Sequence, residues 1–149
     1  PAEHRLAMAR LAFDGLPGVV VDPREVERDG PTYTVDSLRE LQIRYPRAQL
    51  FLVIGSDQAR ALTRWHAWEE ILAIAVLVVA ARVDAASPDG AADWPALPGA
   101  RTETLRLPPV DTSATDIRQR VAAGHRIDHL VPAAVARYID RHHLYLTTR

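Results

Sequence analysis

Three short stretches of this chain carry side chains able to handle a nucleotide. The first is Ser113-Ala114-Thr115-Asp116-Ile117-Arg118, which follows a pair of prolines. Ser113 suits a helix N-cap, Thr115 falls in the first turn, and Arg118 lies one turn further on. A helix N-terminus presents unpaired N–H groups and the positive end of its dipole, so it favours an anion. Arg118 adds a fork of charged donors matched to phosphate. The same residues equally describe an ordinary capped helix with a surface arginine, and by itself that plainer reading leads.

The second stretch is Arg28-Asp29-Gly30-Pro31-Thr32-Tyr33-Thr34. Hydroxyls and one aromatic precede a helix, giving either a phosphate-facing turn or a capped helix with Tyr33 on the core. The third runs from Leu50 to Trp68, where five apolar residues stop at Gly55-Ser56-Asp57 and Trp65-His66-Ala67-Trp68 follow. Asp57 is able to accept from ribose hydroxyls or to cap the next helix. Trp65 offers a flat face for a planar ring, against the commoner role of a core tryptophan, which Trp68 fits still better. The histidines suggest no metal site. His125 and His129 straddle irregular sequence, and His142 and His143 point apart.

The elements that must hold these groups follow from periodicity. Ala2 to Phe13 has helical spacing, ended by Gly15 and Pro17. Val19-Val20-Val21 reads as a short strand and 24–31 as a loop. Thr34 reads as the N-cap of a helix with Val35, Leu38 and Leu41 on one face, stopped at Pro46. Leu50 to Ile54 reads as a strand buried on both faces. Helices are expected at Asp57–Leu62 and Trp65–Ile74, then a strand at Val76–Ala81. Residues 84–100, rich in Ala, Pro, Gly and Asp, read as a surface excursion open to disorder, with Trp94 as an anchor. Thr104–Leu107 reads as a last strand. Ser113–Ala123 is a helix closed by Gly124, and Pro132 opens a final helix carrying Val135, Tyr138 and Ile139. Helices alternating with strands argue for an α/β fold, a mostly parallel sheet with helices on both faces.

Composition narrows the function. The 149 residues suffice for one domain with a sizeable core. A formal net charge of -1 gives no basic excess for nucleic acid. No cysteine is present, so disulfides, thiolate catalysis and cysteine zinc sites are excluded. No apolar run reaches the length of a membrane span, and the first residues lack a signal-peptide pattern, so a cytoplasmic protein is expected.

Taken in order, the stretches resemble the bacterial nicotinate-nucleotide adenylyltransferases. The run from Arg24 to Leu38 is similar to the segment ahead of one of that family's helices. Leu52-Val53-Ile54-Gly55-Ser56-Asp57-Gln58 with Trp65-His66-Ala67-Trp68-Glu69-Glu70-Ile71 resembles its central signature. Ser113 to Arg118 resembles its C-terminal phosphate motif, and Leu130-Val131-Pro132 through Tyr145 its closing helix. The resemblance implies a Rossmann-like nucleotidyltransferase fold, one domain over residues 1–149. It also implies transfer of AMP from ATP to nicotinate mononucleotide, giving deamido-NAD and pyrophosphate in NAD biosynthesis, with Mg²⁺ accompanying ATP. By motif match, Ser113, Thr115 and Arg118 would hold ATP phosphates. Tyr33, Thr34, Asp57, Trp65 and His66 would face the mononucleotide.

The family opens with a strand, a glycine-rich turn and two histidines spaced four apart, G-x-F-D-P-x-H-x-G-H. Nothing of the kind occurs here, so those catalytic histidines and the first strand are expected to lie before Pro1. Where the family has Arg-Arg-Pro-Gly, this chain has Ala81-Arg82-Val83-Asp84 and matches only at Arg82. The rival readings are a nucleotide-binding fragment without catalysis, and a related adenylyltransferase with another acceptor such as a pantetheine phosphate. The Trp65-His66 pair argues against the latter, because a pantetheine arm needs no stacking face. Oligomeric state has no signature in the sequence.

Overall fold

A computed structural model describes residues 1–82, 95, 97, 99–108 and 110–146, with only the backbone of Ala81 and Arg82. Most of the expected 84–100 excursion, including Trp94, and the side chain of Arg82 lie outside the described residues. The chain divides into two compact units, Arg28–Pro109 and Pro1–Glu27 with Val110–Arg149.

The Arg28–Pro109 unit is built on three parallel strands, β1 (Leu50–Gly55), β2 (Ala75–Arg82) and β3 (Thr102–Leu107), in that spatial order. Leu52 pairs with Leu77 and Ile54 with Val79, while Val79 pairs with Thr104. Between β1 and β2 the chain forms α4 (Ser56–Ala61), a 3₁₀ turn at Leu62–Arg64, and α5 (Trp68–Ile74). Ahead of β1 comes α3 (Thr34–Arg44).

Side chains alternate across a strand, so register decides which residues share a face. One face carries Leu52 and Ile54 with Ala75, Leu77 and Val79, packed against Ala59 and Leu62 and against Leu72 of α5. Val35 and Leu38 of α3 and Ile71 of α5 extend this core. Full burial of Leu62 is worth about 1.5–3 kcal/mol relative to exposure. The opposite face carries Phe51 and Val53, 52% and 56% exposed, with Leu105 and Leu107 also exposed. The expectation that β1 is buried on both faces is therefore corrected. Its burial alternates strictly, because it is the outer strand of the described sheet and the unit's helices gather on one side.

The other unit contains α1 (Ala2–Phe13), α2 (Arg24–Glu27), α6 (Ala114–Ala122) and α7 (Ala133–Arg141). Its core is Ile127, Val135, Ala136 and Ile139, joined by Met8, Ala12, Ile117, Val121 and Leu144. His4 of α1 and Tyr138 of α7 share a hydrogen bond of 2.9 Å between Nδ1 and the phenolic oxygen.

Three local expectations change. Val19–Val21 is not a strand: Val19 and Val20 are exposed and pair with no ladder, and a strand without a partner leaves its backbone unsatisfied. Within the expected loop, Arg24–Glu27 coils into one helical turn. The Asp22 carboxylate accepts the Arg24 N–H at 3.0 Å, and the Pro23 carbonyl accepts from Val26 and Glu27. Thr34 is the first residue of α3 rather than its cap. The extended residue before it is Tyr33, whose carbonyl receives the Asp36 and Ser37 N–H groups.

Candidate functional site

In the Arg28–Pro109 unit, the entry to α3 and the stretch before α5 converge. Thr32, Tyr33 and Thr34 from the first, with Arg64, Trp65 and His66 from the second and Ile71 of α5 itself, line one cavity of about 330 Å³. That volume sits at the lower end of the usual range for small-molecule sites. Four of its residues, Tyr33, Thr34, Trp65 and His66, were expected from the sequence to share a ligand. Thr32, Arg64 and Ile71 were not. Arg64 directly precedes the Trp65-His66 pair, so adjacency is the one signal by which the sequence could have shown it.

Local backbone geometry explains the convergence. The Trp65 N–H bonds the Leu62 carbonyl at 2.9 Å, closing the 3₁₀ turn so that Trp65 leaves it extended. The expected helix from Trp65 therefore begins only at Trp68. Ala67 takes a left-handed conformation, φ 50° and ψ 41°, just before it. For a residue with a Cβ this costs about 1–2 kcal/mol. The kink aims Trp65 and His66 apart from the helix they precede. Tyr33 and His66 then lie ring against ring, centroids 4.5 Å apart and tilted by 39°. Trp65 is half-buried and packs against both core clusters of the unit while also lining the cavity. Trp65 thus belongs to the core and to the cavity wall at once.

A charged strap joins the two walls. Arg39 of α3 donates to both oxygens of Glu70 of α5, at 2.7 and 2.6 Å, and to Asp36 at 2.9 Å. The hydrogen bond from Arg39 holds the Glu70 carboxyl below the ordinary carboxylate range, with the nearby His66 acting in the same direction.

Asp57 is placed differently from the other expected mononucleotide residues. It lies in the first turn of α4, almost fully exposed, and pairs with Arg60 one turn on. It is not among the described residues lining the cavity.

The phosphate motif lies in the other unit, at the start of α6. Ser113 caps the helix: its Oγ accepts the Asp116 N–H at 3.1 Å, and the Asp116 carboxylate accepts the Ser113 N–H at 2.9 Å. The Ser113 hydroxyl also donates to that carboxylate at 2.6 Å, which holds the Asp116 carboxyl below its ordinary value. Ile117 makes the first intrahelical bond, to Ser113. Helix geometry thus leaves the N–H groups of Ala114 and Thr115 without intrahelical acceptors. Arg118 donates to the Thr115 hydroxyl at 2.9 Å, so the expected pair occupies one exposed face of the first turn. Among the described residues, no group of three or more histidine and carboxylate side chains comes together to hold a metal. Nor is any described helix long and apolar enough to cross a membrane.

A parallel sheet with helical crossovers and nucleotide-type motifs at helix starts defines a nucleotidyltransferase-like α/β protein. Consistent with that class, the family described as Cytidylyltransferase-like matches residues 1–120. A probable nicotinate-nucleotide adenylyltransferase of Albidiferax ferrireducens is 51% identical over 99% of this chain and 74% of its own length. One from Methylibium petroleiphilum is 44% identical over 99% of this chain and 71% of its own. The chain belongs to the nicotinate-nucleotide adenylyltransferases. Its fold is also that of the Plasmodium falciparum nicotinic acid mononucleotide adenylyltransferase solved with NaAD. The TM-score is 0.66 at 16% identity, over 96% of this chain and 73% of that one.

Proposed function

We propose that the cavity beside α3 receives the pyridine end of nicotinate mononucleotide and that the start of α6 receives phosphate oxygens of ATP. The observation that carries the reading is the convergence of Tyr33, Thr34, Trp65 and His66, distant in sequence, on one cavity. Three of them present flat π-faces, and a pyridine ring is the flattest part of the acceptor. Thr32 and Thr34 add hydroxyls at its edge. Ser113, Thr115 and Arg118 supply the helix N-terminus and guanidinium suited to a triphosphate. Asp57, solvent-facing beside Arg60, is read as a ribose contact by motif alone.

The reaction requires no protein nucleophile. A phosphate oxygen of the mononucleotide attacks the α-phosphorus of ATP, the new P–O bond joins the two nucleotides, and the bond to the β-phosphate breaks to release pyrophosphate. Alignment and charge neutralisation set the rate of such a transfer. When bound, Mg²⁺ neutralises triphosphate charge. The described side chains offer it no ligand cluster, so in this reading it travels with ATP. Cytoplasmic residence, where ATP and the mononucleotide are met, belongs to the same proposal.

The test is product analysis by chromatography after incubation with ATP, Mg²⁺ and nicotinate mononucleotide, alongside calorimetric titration of the mononucleotide alone. Dinucleotide formation together with saturable binding supports the full reading. Binding without product leaves a nucleotide-binding protein lacking catalysis. Absence of binding overturns the acceptor site.

A further inference from the structure

His4 of α1 meets Tyr138 of α7 and His142 at that helix's C-cap in a three-ring cluster. Tyr138 and His142, one helical turn apart, lie with ring centroids 4.2 Å apart and planes tilted by 33°. The His4 ring stands 5.7 Å from that of Tyr138 and 5.2 Å from that of His142. Its Nδ1 and the Tyr138 hydroxyl oxygen are 2.9 Å apart. None of the three belongs to the nucleotide motifs, and none is among the described residues lining the cavity beside α3. His4 and Tyr138 are half-buried and His142 is exposed, so small ions in solvent reach the cluster.

These distances match the edges of a coordination shell. Zn²⁺ takes imidazole nitrogen at about 2.0–2.1 Å in tetrahedral geometry, so two imidazoles on one ion hold their ring centres about 5 Å apart. Two donor atoms at that bond length stand about 2.9–3.4 Å from each other. That is the separation of the His4 Nδ1 from the Tyr138 oxygen. A proton between those two atoms and a cation bound to both occupy the same span. Imidazole suits Zn²⁺ and Cu²⁺, whereas Mg²⁺ takes oxygen ligands. The third donor is a phenol, so the cluster lies outside the histidine and carboxylate groups, none of which reaches three members among the described residues. On binding, both imidazoles coordinate as neutral bases. The Tyr138 O–H bond breaks, its electron pair becomes the third ligand, and the proton passes to solvent. Water completes the shell.

We propose that His4, Tyr138 and His142 form a binding site for a borderline divalent cation of the Zn²⁺ class, which clamps α1 to α7. α1 has no fully buried residue and joins the core of its unit through Met8 and Ala12. A cross-link at its first turn adds a hold that this packing does not supply. The sequence hides the site because His4 is remote in the chain from the other two ligands.

The experiment is calorimetric titration of the EDTA-treated chain with ZnCl₂ and, separately, MgCl₂, for the parent and for His4→Gln, Tyr138→Phe and His142→Gln. Thermal melts without metal establish that the variants remain folded. The parent should bind one Zn²⁺ saturably and show no measurable heat with Mg²⁺. Loss of a second-shell partner alone costs about 10- to 100-fold in metal affinity, so loss of a ligand should cost at least about tenfold. At about a hundredfold excess over the dissociation constant, Zn²⁺ should raise the parent's melting temperature by roughly 5–10 °C and each variant's by clearly less. Cu²⁺ in place of Zn²⁺ should give a phenolate charge-transfer absorption that Tyr138→Phe lacks. A parent that binds no Zn²⁺, or binds Mg²⁺ equally well, overturns the proposal. Parent-like Zn²⁺ affinity in His4→Gln or His142→Gln overturns it by placing the ion at other histidines, and the same result in Tyr138→Phe overturns the three-donor site.

Discussion

Tyr33 and His66, separated in sequence by α3, β1, α4 and the 3₁₀ turn, lie with ring centroids 4.5 Å apart in the lining of the cavity beside α3. At that spacing no ring fits between them, so a planar ligand must stack on the outside of the pair or displace one ring from the other. The pair thus forms an aromatic wall of the cavity. Aromatic contacts of this type are worth about 0.5–1.5 kcal/mol beyond area burial.

His66→Ala removes one ring of that wall while leaving Trp65 in the core. The affinity for nicotinate mononucleotide should fall about 3- to 10-fold, in line with the loss of one ring contact. Because His66 is exposed, the melting temperature should hold within a few degrees. A large loss of stability with unchanged affinity would mean that the ring pair is structural only.

How much of this was legible beforehand can be read from particular residues. The core helices announced themselves through spacing: Val35 and Leu38 on α3 and Val135 and Ile139 on α7 are buried, as periodicity predicts. Motif matching named Tyr33, Thr34, Trp65 and His66, and the fold brings them together. The left-handed Ala67 was not legible, since alanine carries no preference for that conformation and tertiary packing imposes it. The one-sided burial of β1 was equally hidden. Five consecutive apolar residues describe a central strand and an outer strand alike, and only the strand order separates the two. Val19–Val21 failed for a related reason, because strand propensity has no effect without a partner strand.

The strap between Arg39 and Glu70 joins the helix after Tyr33 to the helix after His66. Both partners are solvent-exposed, so its effect is on placement more than on stability. Glu70→Gln keeps the shape and removes the charge. Its expected signature is a weaker mononucleotide affinity with little change in melting temperature, the loss growing smaller at high salt in the parent, where the pair is already screened. Equal affinities of parent and variant at low salt would rule out a positioning role.

The cap of α6 gives a pH-dependent prediction with a definite sign. Asp116 titrates lower in the folded chain than in the unfolded one, because the Ser113 hydroxyl and N–H bond its ionised form. A depressed folded value means that the contribution is complete above the unfolded value and is lost as pH falls through the folded one. Helix content followed by circular dichroism should therefore decline below about pH 4 in the parent. Ser113→Ala should cost about 1 kcal/mol at neutral pH and flatten that acid limb. An acid limb identical in parent and variant would show that other carboxylates govern it.

Ala67 tests whether strain is being held for the sake of the cavity. Its left-handed backbone costs about 1–2 kcal/mol as alanine. Glycine removes that cost but loses about 0.5–1 kcal/mol of chain entropy on folding. The two offset in part, so Ala67→Gly should leave stability in urea unchanged or raise it by up to about 1.5 kcal/mol. The same freedom loosens the link between the Trp65-His66 pair and α5, so mononucleotide affinity should drop while stability does not. Ala67→Val adds a β-branched side chain to a left-handed position and should destabilise, because such residues are outliers there. If Ala67→Gly instead lowers stability by more than about 1 kcal/mol, the conformation is relaxed rather than strained, and packing around Ala67 accounts for it.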